Sequence, residues 1–439
     1  VAGAGVAARR TLFTRRSIAA LVVGAAALVC PRLARAQGIE GPALIGWYPK
    51  YNDDFQGVAL HGAGCLNVPE GMPEGRQVPC GFPTLAPLGT GLYEISGENL
   101  APFPDGAEDS GWTLFVMTIG GNVHCFDTGT TFEGTALRAT VRCVSAETGG
   151  DVEADFAWSY RADSLEYPQL GSYAPDHAYA RVAKDGSLVP EESMNPLDIH
   201  DDDVRVRRNA AGDYTVTFAD LNPLDGSLEP TLSPYNVVVQ KTCSGDEDGG
   251  DELGGCYRAV CAASSWTPGD FTTYDTTIDV SCHAADGTPR DTGFRVLFGD
   301  IGFTSQRSWE GGFRFAWVNW TDPAMPGCLS FPDLLAISQH ETPASYYPGI
   351  PVEACRSAVG RYEVNLSDYI TPYSIDAVAP LVSTFASDGT YCNVDRVECG
   401  VTQEICALPD APETARISVA CFDPTGAPTD APWTLNMTY

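Results

Sequence analysis

One motif is written three times in this chain, and it constrains the fold more than any other feature. Thr140 to Tyr160 reads T-V-R-C-V-S-A-E-T-G-G-D-V-E-A-D-F-A-W-S-Y, Ile278 to Phe298 reads I-D-V-S-C-H-A-A-D-G-T-P-R-D-T-G-F-R-V-L-F, and Ile417 to Tyr439 closes in the same way. Each is a strand pattern carrying a cysteine, then turn residues, then a second strand pattern led by an aromatic: Phe156, Phe294 or Trp433. A second marker, Gly-x-Tyr opening a strand, precedes each copy as Gly91-Leu92-Tyr93, Gly212-Asp213-Tyr214 and Gly360-Arg361-Tyr362. A third is an opening strand: Ala43–Tyr48, Ala178–Gly186 and Phe313–Trp320. The chain therefore reads as a tandem array, with units at 43–160, 178–298 and 312–439.

Strand character follows from period-2 alternation. Tyr214, Val216 and Phe218 fall on one face and Thr215 and Thr217 on the other. The 45 Gly and 32 Pro punctuate the chain into short segments, and sustained helical periodicity is missing after residue 36. The expected class is all-β: three tandem, disulfide-stapled antiparallel β-sandwich units, each about 120 residues by the rules for alternating strands.

Residues 1–36 read as a cleaved signal peptide. Arg9, Arg10, Arg15 and Arg16 form a basic start, Ile18 to Val29 an apolar stretch, and Ala34-Arg35-Ala36 a cleavage site. The apolar stretch is too short to span a bilayer. Thr14-Arg15-Arg16 also resembles a twin-arginine signal, but a chain rich in disulfides suits export in an unfolded state. The expected location is secreted, extracellular or periplasmic.

Removing residues 1–36 takes Cys30 and leaves 14 of the 15 cysteines. Each unit keeps an even number: Cys65, Cys80, Cys125 and Cys143 in the first; Cys243, Cys256, Cys261 and Cys282 in the second; Cys328, Cys355, Cys392, Cys399, Cys406 and Cys421 in the third. Even counts without C-x-x-C pairs favour disulfides over zinc. Cys125, Cys261 and Cys399 precede the motif cysteine by 18, 21 and 22 residues. That spacing predicts bridges Cys125–Cys143, Cys261–Cys282 and Cys399–Cys421. The remainder pair as Cys65–Cys80, Cys243–Cys256, Cys328–Cys355 and Cys392–Cys406.

Charge limits the partners. Six arginines leave with residues 1–36, which moves the formal net charge from −31 to −37, 20 cationic against 57 acidic side chains. Nucleic acid and anionic membranes are excluded on this balance. The chain carries no G-x-S-x-G elbow, and its histidines (His61, His124, His177, His200, His283 and His340) occupy no matching places. Asp291 and Asp430 recur nine residues after Cys282 and Cys421, as turn carboxylates accepting backbone N–H bonds do. The run Asp246 to Glu252 places Asp246, Asp248 and Asp251 where alternating acids and glycines could wrap calcium, without the closing glutamate of a known calcium loop. No other cofactor is expected.

The pattern from "A-Y-A-R-V-A-K-D-G" through "V-R-V-R-R-N-A-A-G-D-Y-T-V-T-F" to "I-D-V-S-C-H-A-A-D-G-T-P-R-D-T-G-F-R-V-L-F" resembles repeat modules of secreted bacterial proteins of unknown function. It is similar to the jelly-roll heads of the complement and tumour-necrosis-factor group. The resemblance implies jelly-roll-like units and, because that group trimerises, an intramolecular pseudo-trimer in which units 1 and 3 touch. The function expected is a secreted, non-enzymatic binding or structural surface protein with an extracellular ligand. The alternatives are a hydrolase with a site between units or a calcium-dependent adhesion module.

Overall fold

The computed structural model describes residues 39–48, 84–98, 100, 110–164, 177–195, 204–219, 235–243, 256–267, 269, 275–300, 315–331, 344–346, 352–367, 379–399 and 414–438. Every regular element among them is a strand. Residues 1–36, the Cys65 and Cys80 pair, Cys406, Phe313 and the acidic run from Asp246 to Glu252 lie outside the described residues.

The first third of the chain holds β1 (Ile39–Tyr48), β2 (Thr84–Gly89), β3 (Leu92–Gly97), β4 (Ser110–Ile119), β5 (Val123–Glu133), β6 (Ala136–Ser145) and β7 (Asp155–Ser164). The second holds β8 (His177–Val182), β9 (Leu188–Met194), β10 (Val204–Ala210), β11 (Asp213–Phe218), β12 (Tyr235–Thr242), β13 (Val260–Thr267), β14 (Thr276–His283) and β15 (Gly293–Asp300). The last holds β16 (Phe315–Trp320), β17 (Gly327–Phe331), β18 (Ala344–Tyr346), β19 (Val352–Ala358), β20 (Arg361–Ser367), β21 (Ala379–Thr384), β22 (Tyr391–Cys399), β23 (Thr414–Phe422) and β24 (Trp433–Thr438).

The same pairings occur in each third. A hairpin joins two further strands in the orders β2-β3-β6-β5, β10-β11-β14-β13 and β19-β20-β23-β22. Within each third the opening, closing and middle strands pair apart from that set, as β1-β7-β4, β8-β15-β12 and β16-β24-β21. Strand β4 also joins β22, so that β1-β7-β4 and the last third's set run on as one eight-stranded sheet that ends on β17. The repeated motif is therefore not a hairpin. Its two strands (β6 and β7, β14 and β15, β23 and β24) do not pair with each other. Each turn carries the chain from one sheet to the facing one, so that both strands line one core. In the first third that core includes Tyr93, Ile95, Val141, Leu114, Phe156 and Trp158, and in the second Tyr214, Val216, Val280, Val237 and Phe294.

Both strands around each motif cysteine obey local geometry. Gly91, Gly212 and Gly360 have φ of 66°, 68° and 62°, and a Cβ on them would sit 2.5, 2.3 and 2.5 Å from the carbonyl oxygens of Cys143, Cys282 and Cys421. Only glycine fits a left-handed turn pressed against a neighbouring backbone. Those cysteines in turn donate their N–H to the three glycine carbonyls at 2.7, 2.7 and 2.9 Å.

Four disulfides join the expected partners: Cys125–Cys143, Cys243–Cys256, Cys261–Cys282 and Cys328–Cys355. In the third copy the expectation fails. Cys421 bonds to Cys392, not Cys399, which also removes the Cys392–Cys406 pair. The reason is register: β22 sets Cys392 opposite Cys421 and Cys399 opposite Ala415. Spacing along the chain misled because the β22–β23 connection is longer than its counterparts. Once register is used, the bridge is the same in all three copies, a cystine between directly opposed strand residues.

Candidate functional site

The middle strands β4, β12 and β21 come together at the centre of the molecule. Strand β4 is buried on both faces: Leu114 and Val116 enter the first core, while Phe115, Met117 and Ile119 enter a cluster shared with the other thirds. That cluster also takes Tyr179, Met194, Val238 and Leu297 from the second third and Trp320, Leu381, Val394 and Trp433 from the last. Near-continuous apolar runs such as T-L-F-V-M-T-I are what two-sided burial demands.

Matching positions can be assigned through register. Thr118, Lys241 and Thr384 each pair with the motif aromatic, Phe156, Phe294 and Trp433. Two residues beyond them, the N–H of Gly120 donates to Val394 O at 2.7 Å, that of Ala386 to Ala263 O at 3.0 Å, and that of Cys243 to Asp127 O at 3.4 Å. The three acceptors each lie two residues after a bridged cysteine: Cys392, Cys261 and Cys125. The bonds thus run from first third to last, last to second, and second to first, closing a ring. Single parallel bridges, Ile119 with Val394 and Phe385 with Ala263, flank two of them. A second layer is incomplete. Val116 N–H donates to Gln240 Oε1 at 2.8 Å and Val239 N–H to Ser383 Oγ at 3.2 Å, while Met117, at the third place, has no side-chain oxygen to offer.

A cavity of about 70 Å³ lies inside this ring. Matching residues line it in threes: Val116, Val239 and Val382; Thr118, Lys241 and Thr384; His124, Val260 and Tyr391. This is far below the roughly 300 Å³ at which sites for drug-sized ligands begin. Thr118 and Thr384 use their hydroxyls alike, each accepting the N–H of Cys125 or Cys392 at 2.7 Å. Lys241 instead sends its ammonium to the carbonyls of Cys256 and Tyr257 and over the Phe126 ring at 4.5 Å.

The polar chemistry of the three junctions differs. Between first and second thirds, Arg295 is buried at 1 % exposure with Asp127 at 2.9 Å and Glu192 as second partner, over the Trp112 ring at 5.6 Å. Burial works against this guanidinium's charge, but Glu192 and Asp127 outweigh it and hold its pKa above the ordinary value. Between first and last, Asn393 Nδ2 donates to the carbonyls of Gly121 and Val123 at 3.1 and 2.7 Å. Asp395 accepts the Gly121 N–H at 3.1 Å, Tyr391 donates to Asn122, and His124 packs on the Tyr391 ring at 4.7 Å. Burial, with Lys241 adding to it, lowers the His124 pKa well below its usual value. Between second and last, Gly389 lies against His283.

Asp291 and Asp430 do recur as turn carboxylates. Asp291 accepts from Gly212 N at 2.9 Å and Tyr214 OH at 2.8 Å, and from Arg208 at 3.0 and 2.6 Å. Asp430 repeats this with Gly360 at 2.9 Å, Tyr362 at 3.2 Å and Arg356 at 2.9 and 2.7 Å. Arg208 holds the Asp291 carboxyl down at about 2, and Arg356 lowers that of Asp430. Asp151 in the first third pairs with Arg142 at 2.6 and 2.9 Å instead. The candidate calcium residues Asp246, Asp248 and Asp251 lie outside the described residues, as do His61, His200 and His340. Among the described residues, Cys328, Glu353 and Cys355 bring three potential metal-binding atoms together, but the two sulfurs are already bonded to each other. Comparisons with protein-family models, curated proteins and solved structures give no match.

Proposed function

We propose that the chain is an exported, non-enzymatic binding or structural surface protein, built as three tandem jelly-roll-like β-sandwich units closed into a pseudo-trimer. The observation that carries this reading is the ring of three matching backbone hydrogen bonds at Gly120, Ala386 and Cys243. Its Gly120–Val394 bond sets the first third of the chain against the last, which supports the closed arrangement that the trimeric-head resemblance implies. Four polar side chains near the centre serve docking: Gln240, Ser383, Asn393 and Asp395 each satisfy a backbone group of another unit. The outer sheets keep a polar solvent face, such as Thr215, Asp279 and Ser265. Cross-strand cystines in each unit suit an oxidising compartment. The test uses the chain secreted by an exporting host. Its N-terminus should be Gln37, and the purified protein should bind an extracellular polysaccharide or protein saturably while leaving ester, peptide and glycoside substrates unturned. Turnover that tracks the protein through purification would overturn the reading.

A further inference from the structure

We infer that His124 is an acid-sensitive latch on the junction between the first and last thirds of the chain. The imidazole stands in the central cavity at 8 % exposure, where the other two thirds place Val260 and Tyr391. Its ring packs on Tyr391 of β22 at 4.7 Å. The N–H groups that close this junction come from the same turn: Gly120 donates to Val394 O, and Gly121 to Asp395. Protonating His124 therefore places a charge within a few residues of the ring's closing bonds.

The groups around it do not welcome that charge. Strand β12 presents the Lys241 ammonium, and β22 presents the Tyr391 phenol, on which the charge of Asp423 acts. Strands β4 and β21 present the hydroxyls of Thr118 and Thr384, and no carboxylate lines the cavity among the described residues. Burial also lowers the pKa of His283, at the junction of the second and last thirds, but there the Asp388 charge works in the opposite direction, where Lys241 adds to burial at His124.

Burial and Lys241 keep His124 neutral when folded, while in the unfolded chain it takes a proton near pH 6.5. A folded-state pKa below the unfolded one means no penalty above pH 6.5. Below it, stability is lost by up to about tenfold in the folding equilibrium per pH unit, until the folded pKa is reached. The latch is thus closed at neutral pH and loosens in mild acid.

The experiment compares the full chain with His124→Val, which installs the residue of the matching place, and His124→Gln, should the valine variant not fold. His283→Gln is the comparison. Melting is followed from pH 7.5 to 5.5, together with amide exchange at Gly120 and Gly121 corrected for its intrinsic pH dependence. The latch predicts that either His124 variant gains on the parent as pH falls, by about tenfold in the folding equilibrium between these limits. It also predicts that the parent and His283→Gln lose protection at Gly120 and Gly121 in acid, while the His124 variants keep it. A variant-to-parent difference that is the same at both pH values would overturn the latch. So would protection restored by His283→Gln instead.

Discussion

A carboxylate that accepts from a backbone N–H, a phenol and a guanidinium at once is held ionised by all three. Asp291 is such a group, with its pKa at about 2 and Arg208 the largest cause. Its folded value lies below the ordinary 3.8. The stability it contributes is therefore present above pH 4 and lost as pH falls towards 2. Asp291→Ala should cost about 1–3 kcal/mol at neutral pH by leaving Gly212 N–H and Tyr214 OH without their acceptor, and should flatten that acid limb. Denaturant unfolding at pH 7 and pH 3 checks both. Gly212→Ala should cost about 2 kcal/mol or more, because φ is positive and the new Cβ meets Cys282 O. Of these features, the recurrence of Asp291 and Asp430 and the Gly-x-Tyr marker were legible as spacing. What they do for each other was not, since Arg208 and Asp291 are 83 residues apart.

At the scale of strands, the alternation of β11 identifies its buried face directly: Tyr214, Val216 and Phe218 are fully buried. The third cystine could not be read by counting. A loop absorbs any number of residues, whereas opposed strand positions are fixed by pairing, and only β22–β23 register puts Cys392 across from Cys421. Non-reducing peptide mapping should therefore recover Cys392 with Cys421, and Cys399 in another peptide. A Cys399–Cys421 peptide would contradict the register. The central role of β4, β12 and β21 was hidden for another reason. Their apolar runs mark burial on both faces but do not say against what, and the partners lie in other thirds of the chain. Arg295 was equally invisible: nothing in G-F-R-V-L-F distinguishes a buried arginine from a solvated one.

At the scale of the molecule, two opposing electrostatic terms meet. The −31 net charge favours expansion, and moderate salt should raise the melting temperature by screening it. A flat or falling melting temperature would mean that attractive pairs dominate. Arg295 sits at the other extreme, desolvated between Asp127 and Glu192. Arg295→Ala should cost about 3–5 kcal/mol, because two buried carboxylates lose their counter-ion, and salt should not rescue it. Thermal melts of parent and variant across salt concentration separate the two terms.

The proposed closure of three units into a ring is tested most directly by small-angle X-ray scattering of the chain in dilute solution. A single compact body of this length has a radius of gyration of about 22 Å, whereas three such units strung end to end exceed about 30 Å. The ring predicts a value near the lower figure that does not change with salt. A value near the upper figure would mean that Gly120 and Val394 do not meet, and would contradict the pseudo-trimer.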